Sequence, residues 1–321
     1  MTNVAGQAPG PKPGARDGAT PPGTSLWMPA DGRVKNVLLL ADGEKPLVTE
    51  NIGAVKELLA ASCDRVEVRT NVREIQFDGS FALDDQPDLV VVLGGDGSVL
   101  TACRLFQNAP VATIGINYGR VGFLASLESS AWREGLTEVL EGRALVEQRM
   151  RLRATVLRGD GGGGTEGASA IAMNDVVISR GGTPSMAKFE LISAGRAVTS
   201  YRADGLIFAT PSGSTAYSLA AGGPILDPAL RAIVLTPISA HALSHRPLVL
   251  GSRAVLEARV VDIAGAVTLD IDGRFVSELQ GGDAVRLEAC EDAYPLLTTR
   301  SFDPWQRLRD RLGWAGHFDG E

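Results

Sequence analysis

Three stretches of this chain carry residue types and spacings that could do chemistry on a phosphorylated ligand. The first is Gly94-Gly-Asp-Gly-Ser98, a carboxylate set among glycines. Gly94, Gly95 and Gly97 let the backbone turn sharply and let a bulky anion approach without meeting a Cβ. Asp96 would repel that anion unless it holds a metal ion or accepts a proton, so a catalytic or metal-linked role is favoured over a bare strand-to-helix turn. The second, Asn174-Asp175, sets a neutral amide beside a carboxylate, a pairing suited to a base edge or to ribose hydroxyls. Alone it reads more readily as a turn. The third is Thr210-Pro-Ser-Gly-Ser-Thr-Ala-Tyr-Ser-Leu-Ala-Ala-Gly-Gly-Pro224, whose hydroxyls open a short helix and can bond phosphate or ribose oxygens without adding charge.

The elements that must hold these residues can be read from periodicity. Leu89–Leu93 is short, apolar and rich in valine, the pattern of a strand buried on both faces of a parallel sheet. It puts Asp96 at the carboxyl end of a central strand, where ligands of open α/β sheets bind. A helix from Ser98 to Asn108 then aims its positive N-terminus at a phosphate. Val34–Leu40 and Val111–Asn117 read as further buried strands, and Arg65–Arg69 as an exposed one. Ile52, Val55, Leu58 and Leu59 mark a helix over Leu47–Ser62, and Ser130 is expected to cap another reaching Glu141. Alternation of strand and helix predicts an α/β domain over residues 33–145, with a Rossmann-like, doubly wound parallel sheet.

Beyond Arg143 the pattern changes. Gln148–Arg158, Ala168–Arg180, Phe189–Ser193, Ala197–Tyr201, Val255–Val261, Val267–Asp270 and Ala284–Ala289 read as short strands joined by glycine-rich turns. A β-rich C-terminal domain is therefore expected over residues 146–295. In residues 296–321, Asp303 and Pro304 open a helix over Trp305–Leu312, expected to pack back on the N-terminal domain. Residues 1–32, rich in Gly, Pro, Ala and Thr, are expected to form a disordered leader.

Composition narrows the function classes. The 321 residues carry a formal charge of −7, so no global basic field recruits nucleic acid or a membrane surface. Any anionic ligand must be met by local cations or backbone amides. Cys63, Cys103 and Cys290 include no Cys-x-x-Cys pair, which fits a reducing, cytoplasmic setting and excludes a thiolate metal site. No apolar run reaches transmembrane length. His241, His245 and His317 have no metal-like spacing and read as packing or surface residues.

Taken in order, Gly94-Gly-Asp-Gly-Ser98, Asn174-Asp175, Arg202-Ala-Asp-Gly205 and the Thr210–Pro224 stretch resemble the NAD kinase family, from about Val34 to the C-terminal helix. The glycine turn is shared with lipid kinases and 6-phosphofructokinases, so the long Thr-Pro stretch carries the likeness. The resemblance implies phosphorylation of the 2′-hydroxyl of NAD's adenosine ribose by ATP, or in some members polyphosphate, to give NADP. It also implies Mg²⁺ or another divalent cation, an active site between two domains, and assembly as a homodimer or homotetramer.

By the same resemblance Asp96 is the catalytic carboxylate, in a phosphate loop with Gly94, Gly95 and Ser98. Gly97, Asn174, Asp175, Ser185, Arg202, Asp204, Thr215, Ala216, Tyr217, Ser218 and Arg274 fall on nucleotide contacts, some of them reaching across a subunit interface. Four positions depart from the commonest pattern: Asp175 for Glu, Ser212 for Thr, Arg274 for Gln, and Thr101 where many bacterial members carry a basic residue after the glycine turn. Two other readings remain open at this level, a related lipid or sugar kinase and a catalytically silent dinucleotide sensor. The absence of Gly-x-Gly-x-x-Gly after the first strand argues against an oxidoreductase.

Overall fold

The computed structural model describes residues 23–29, 31–70, 86–119, 122–159, 165–181, 186–242, 244–263 and 265–314. The first part of the chain runs β1 (Thr24–Leu26), β2 (Asn36–Ala41), α1 (Pro46–Ala60), β3 (Arg65–Arg69), β4 (Leu89–Gly94), α2 (Asp96–Leu105), β5 (Thr113–Asn117), β6 (Leu127–Glu128), α3 (Trp132–Leu140) and β7 (Leu145–Arg149). There follow β8 (Leu152–Arg158), β9 (Thr165–Ala172), β10 (Asp175–Arg180), β11 (Ala187–Ser193), β12 (Arg196–Ala203), β13 (Gly205–Ala209), a single 3₁₀ turn (Ser212–Thr215), α4 (Tyr217–Ala220) and β14 (Ala232–Ile238). The rest is β15 (Leu248–Gly251), β16 (Leu256–Asp262), β17 (Val267–Ile271), β18 (Arg274–Leu279), β19 (Ala284–Ala289), β20 (Tyr294–Thr298) and α5 (Pro304–Leu312).

β4 lies near the middle of a sheet ordered β1-β7-β20-β5-β4-β2-β3, with β6 beside β5. β2, β3, β4 and β5 run parallel. Alternation along β4 sends Leu89, Val91 and Leu93 into a core shared with α1 and α3, and Val90 and Val92 into one shared with α2. Both faces are thus covered, as the uninterrupted apolar run requires. The sheet is mixed where the expectation was parallel, because β7 pairs antiparallel with both β1 and β20.

Two antiparallel six-stranded sheets, β15-β14-β13-β10-β17-β18 and β12-β11-β16-β19-β8-β9, build the second part. Phe208, Ile178 and Leu235 from one meet Phe189, Val156 and Leu287 from the other in a common apolar core. The chain divides differently from the expected 145/146 and 295/296 boundaries, since β7 and β20 cross them and both belong to the first sheet. The leader expectation also needs correction where it can be checked. Residues 24–26, inside the expected 1–32 span, form β1 on β7, while residues 1–22 lie outside the described residues.

The C-terminal helix forms as read. Asp303 accepts hydrogen bonds from the amides of Trp305 and Gln306, Pro304 takes the first turn, and Gly313 ends the helix in the left-handed region at φ 67°. The Arg307 side chain docks it by donating to the carbonyls of Ala125 and Ser126, on the N-terminal domain. α3 begins at Trp132 with Ala131 at its cap and no side-chain cap bond, so Ser130 does not play the role its type suggested.

Candidate active site

The glycine turn follows β4 directly, with Gly95 extended at the cap position and Asp96 as the first residue of α2. Gly94 is glycine for an internal reason: a Cβ there would lie 2.2 Å from Ser98 Oγ, which folds back on the turn and is buried. The Ser98 side chain therefore packs inward against the turn. Gly97 is exposed, and a Cβ on it would meet nothing within 4 Å, so the open approach lies there.

Asp96 holds the segment after β5. Its Oδ2 accepts from the Phe123 amide at 2.7 Å, and its Oδ1 from the amides of Leu124 and Ala125 at 3.0 and 3.3 Å. Gly122 makes this approach feasible, because a Cβ there would sit 2.0 Å from Asp96 Oδ1. The negative charge also lies at the N-terminus of α2, where the helix dipole favours it. Asp96 is thus fixed in orientation at the carboxyl end of the sheet, with one acceptor direction on Oδ2 left over beside its single amide partner.

A cleft of about 480 Å³ opens on the flank of α2 and brings Asn174, Asp175, Ala216 and Tyr217 together with Leu100 and Asp272. Three backbone amides, those of Met173, Asn174 and Asp175, donate to the Asp272 carboxylate at 2.9, 2.8 and 3.1 Å. Asp272 itself sits at φ 47°, in the left-handed region that places its side chain under the approach to β10. Asn174 Oδ1 is buried with no hydrogen-bond partner. Burial first, then the charge of Asp272, pushes the Asp175 carboxyl up to about 7, against the opposing effect of the Tyr217 amide. The sequence marks Asp272 only as part of a turn, and its role at the base of the cleft was missed. No spacing rule marks a carboxylate that acts through backbone amides about a hundred residues away.

The hydroxyls of the Thr210–Pro224 stretch serve mainly to hold the turn. Thr210 Oγ1 donates to the Met173 carbonyl at 2.6 Å and accepts from the Gly213 amide at 3.0 Å. Gly213 must lack a Cβ, which would fall 2.0 Å from the Asn174 carbonyl oxygen. Ser214 Oγ is engaged with Pro211 and Leu226. Ser218 is buried and shares a 2.8 Å bond with Thr236, so it faces the core rather than the cleft. Ala216 and Tyr217 do face it. Thr215 lines a second cavity, about 450 Å³, on the other side of the turn, between Phe123, Arg149 and Arg307.

Three other candidates do not line the cleft. Arg202 is exposed on the edge strand β12, and Asp204 is paired with Arg180 at 2.6 Å. In the β10–β13 ladder Asp175 faces Ala209 while Ser179, which also lines the cleft, faces Gly205, so Asp204 stands by the Ser179 end of the cleft, four strand positions from Asp175. At about 3.3 Å per residue this is roughly 13 Å along the strand. Arg274 follows the Asp272-Gly273 turn and is exposed; burial and then the charge of Arg274 lower Arg104 of α2 to about 10. Ser185 lies outside the described residues.

The sequence matches the ATP-NAD kinase N-terminal domain over residues 33–144 and the ATP-NAD kinase C-terminal domain over residues 173–299. It is 37% identical to an NAD kinase of Geotalea daltonii over 277 residues, covering 86% of this chain and 90% of that protein. It is 40% identical to an NAD kinase of Nitrosomonas europaea over 231 residues, 72% of this chain and 76% of that protein. Among solved structures, the fold resembles yeast NADH kinase complexed with NADH at a TM-score of 0.71, with 23% identity and coverage of 90% and 89% of the two chains. It also resembles an NAD kinase from Archaeoglobus fulgidus in complex with ATP, at a TM-score of 0.65 and 21% identity over 86% and 97%. Both halves of the fold, and the order of the motifs along it, agree with these matches: the chain belongs to the NAD kinase family.

Proposed function

We propose that this chain transfers the terminal phosphoryl group of ATP to the 2′-hydroxyl of NAD's adenosine ribose, with the cleft beside α2 taking the adenosine and Asp96 serving the hydroxyl. The observation that carries the assignment of the cleft is the buried, unpartnered Oδ1 of Asn174. A buried acceptor without a donor costs about 1–3 kcal/mol, which a ligand N–H such as the adenine amino group would recover. Asp175 next to it offers carboxyl oxygens to ribose hydroxyls, and Tyr217, 47% exposed, offers a ring face against the nucleoside.

A ribose hydroxyl is a poor nucleophile, and phosphoryl transfer passes through a loose transition state, so alignment and charge neutralisation supply most of the rate. Three amides hold Asp96 in place without occupying every acceptor direction. Its Oδ2 accepts the hydroxyl's hydrogen bond, aims the oxygen, and takes the proton as the bond to phosphorus forms.

No group of three or more His, Cys, Asp or Glu able to hold a metal ion occurs among the described residues. That donor set suits Mg²⁺ brought in on the phosphates of ATP, since this ion keeps water and phosphate oxygens and needs one or two carboxylates at most. When bound it neutralises charge on the donor phosphates. Arg202 and Asp204, which do not line the cleft of their own chain, serve the dinucleotide of a neighbouring copy in a homo-oligomer. The free thiols of Cys63, Cys103 and Cys290 accord with a reducing, cytoplasmic setting. No helix among the described residues is long and apolar enough to cross a membrane.

Incubating the purified protein with NAD, ATP and Mg²⁺ and separating the nucleotides by chromatography tests the reading. NADP is the expected product. NAD binding without product would identify a dinucleotide sensor, and indifference to NAD would favour a lipid or sugar kinase. Replacing ATP by polyphosphate, and NAD by NADH, in the same assay defines the donor and acceptor range.

A further inference from the structure

The family's reaction brings a triphosphate to a chain whose formal charge is −7. At Thr101, where a cation on α2 would face the donor, stands a buried hydroxyl bonded at 3.0 Å to the Gly97 carbonyl one turn back. Arg104, in the last turn of α2, donates to that hydroxyl at 3.2 Å, and no cation stands in the helix's first turn.

Lys45 supplies one by position. It precedes α1 in the loop after β2, and its ammonium extends across the carboxyl end of the sheet to the turns that follow the next two strands. A Cβ built on Gly95, after β4, would lie 3.4 Å from Lys45 Nζ, and one built on Gly119, after β5, would also lie 3.4 Å from it. With a Cα–Cβ bond of about 1.5 Å, Nζ stands within about 5 Å of both glycine Cα atoms. The ends of three parallel strands thus surround one ammonium beside Asp96 and the first turn of α2, the place where open α/β sheets bind anions.

The alternative is that Lys45 is only a counterion for the buried Asp42. That pair stands at 3.7 Å, beyond hydrogen-bond length, and the lysine side chain keeps 27% exposure. The ammonium is therefore held forward over the glycines instead of being drawn down onto the carboxylate. The cleft that holds Asn174, Asp175 and Tyr217 does not include Lys45. Its charge stands outside that cleft, beside the glycine turn.

Resting on the NAD kinase reading, we propose that Lys45 contacts the transferred or adjacent phosphate of the donor, between the glycine turn and Gly119, supplying a cation that position 101 does not. A flexible ammonium is a suitable point charge for a phosphate that shifts during transfer. Lys45 acts on donor binding and on the charge developing as the phosphoryl group leaves, and leaves NAD binding alone.

The test compares full-length wild type with Lys45→Ala, Lys45→Gln and Lys45→Arg. Initial rates are measured against ATP at saturating NAD and the reverse, and inorganic tripolyphosphate binding is measured by calorimetry without NAD. For the alanine and glutamine variants the expected result is a rise of roughly 10- to 100-fold in the KM for ATP and in the tripolyphosphate Kd, with the KM for NAD within about twofold of wild type. Lys45→Arg should recover most of the loss. Values for ATP and tripolyphosphate within about twofold of wild type, or a KM for NAD that rises in step with that for ATP, overturn the proposal; the second result is what a broken Asp42 pair would give. Should Lys45→Ala not fold, the glutamine and arginine variants decide. Wild type that makes no NADP would instead sink the kinase reading, and tripolyphosphate binding alone would then judge Lys45.

Discussion

Asp96 does two jobs with one side chain. Its carboxylate ties down three amides of the segment after β5, and the same bonds fix the oxygen expected to meet the ribose hydroxyl. Asp96→Asn keeps the shape but sets an NH₂ group against one of those donors. We expect turnover to fall roughly 10²- to 10⁴-fold while NAD binding persists. A stability loss of about 1 kcal/mol should accompany it, from the amide left without an acceptor. Steady-state rates, NAD titration and urea melts measure these separately, and an Asn variant with undiminished turnover would remove Asp96 from the chemistry.

Asp175 offers a second test at the same scale. Its folded value of about 7 lies above the ordinary 3.8, so the group takes up a proton on folding between those limits. Its contribution is fully favourable at pH below about 4 and is lost as pH rises through about 7, each tenfold difference in proton affinity between the folded and unfolded chain being worth about 1.4 kcal/mol. Asp175→Asn removes that dependence. Relative to wild type, the variant should gain stability from pH 5 to pH 7.5 in parallel urea melts, and a difference that stays flat across this range would show that the carboxyl is already ionised at pH 5.

At the level of elements, the segment after β5 is held from both sides. Asp96, at the start of α2, accepts from its amides, and Arg307, buried in α5, donates to the carbonyls of Ala125 and Ser126. The last helix of the chain therefore supports the same backbone that orients the candidate catalytic carboxylate. Arg307→Ala leaves two carbonyls without their donor and should cost about 1–3 kcal/mol in urea melts. It should also lower kcat more than it raises the KM for NAD, because the cleft around Asn174 lies apart from α5. An unchanged kcat would uncouple the helix from the site.

For the whole molecule, Arg202 is exposed on the edge strand β12 and Asp204 follows that strand, and the proposed role of both is to serve the dinucleotide of a neighbouring copy. Sedimentation should report a homo-oligomer. Mixing unfolded Asp96→Asn and Asp204→Asn chains and refolding them together should restore activity that neither has alone, since some sites then receive one intact residue from each copy. No recovery would place the two residues in separate functions.

Local order of residues determined much of this protein before any coordinates. The Leu89–Leu93 run could only be a strand covered on both faces, the glycines after it could only be a turn, and the Asp303-Pro304 pair could only start a helix, because each follows from backbone sterics and burial within a few residues. Asn174, Asp175 and Tyr217 were legible as a group only through motif order, and the fold brings them to one cleft. The inward turn of the Ser98 and Ser218 side chains was not legible, since a hydroxyl's type does not say whether it faces outward or to the core. Asp272 and Lys45 were invisible for a related reason. Each sits just beyond a strand and reaches backbone far away in sequence, and β20, returning from the sandwich, joins the first sheet likewise, between β7 and β5. Contacts of that kind depend on distances the fold creates, so only the tertiary structure decides them.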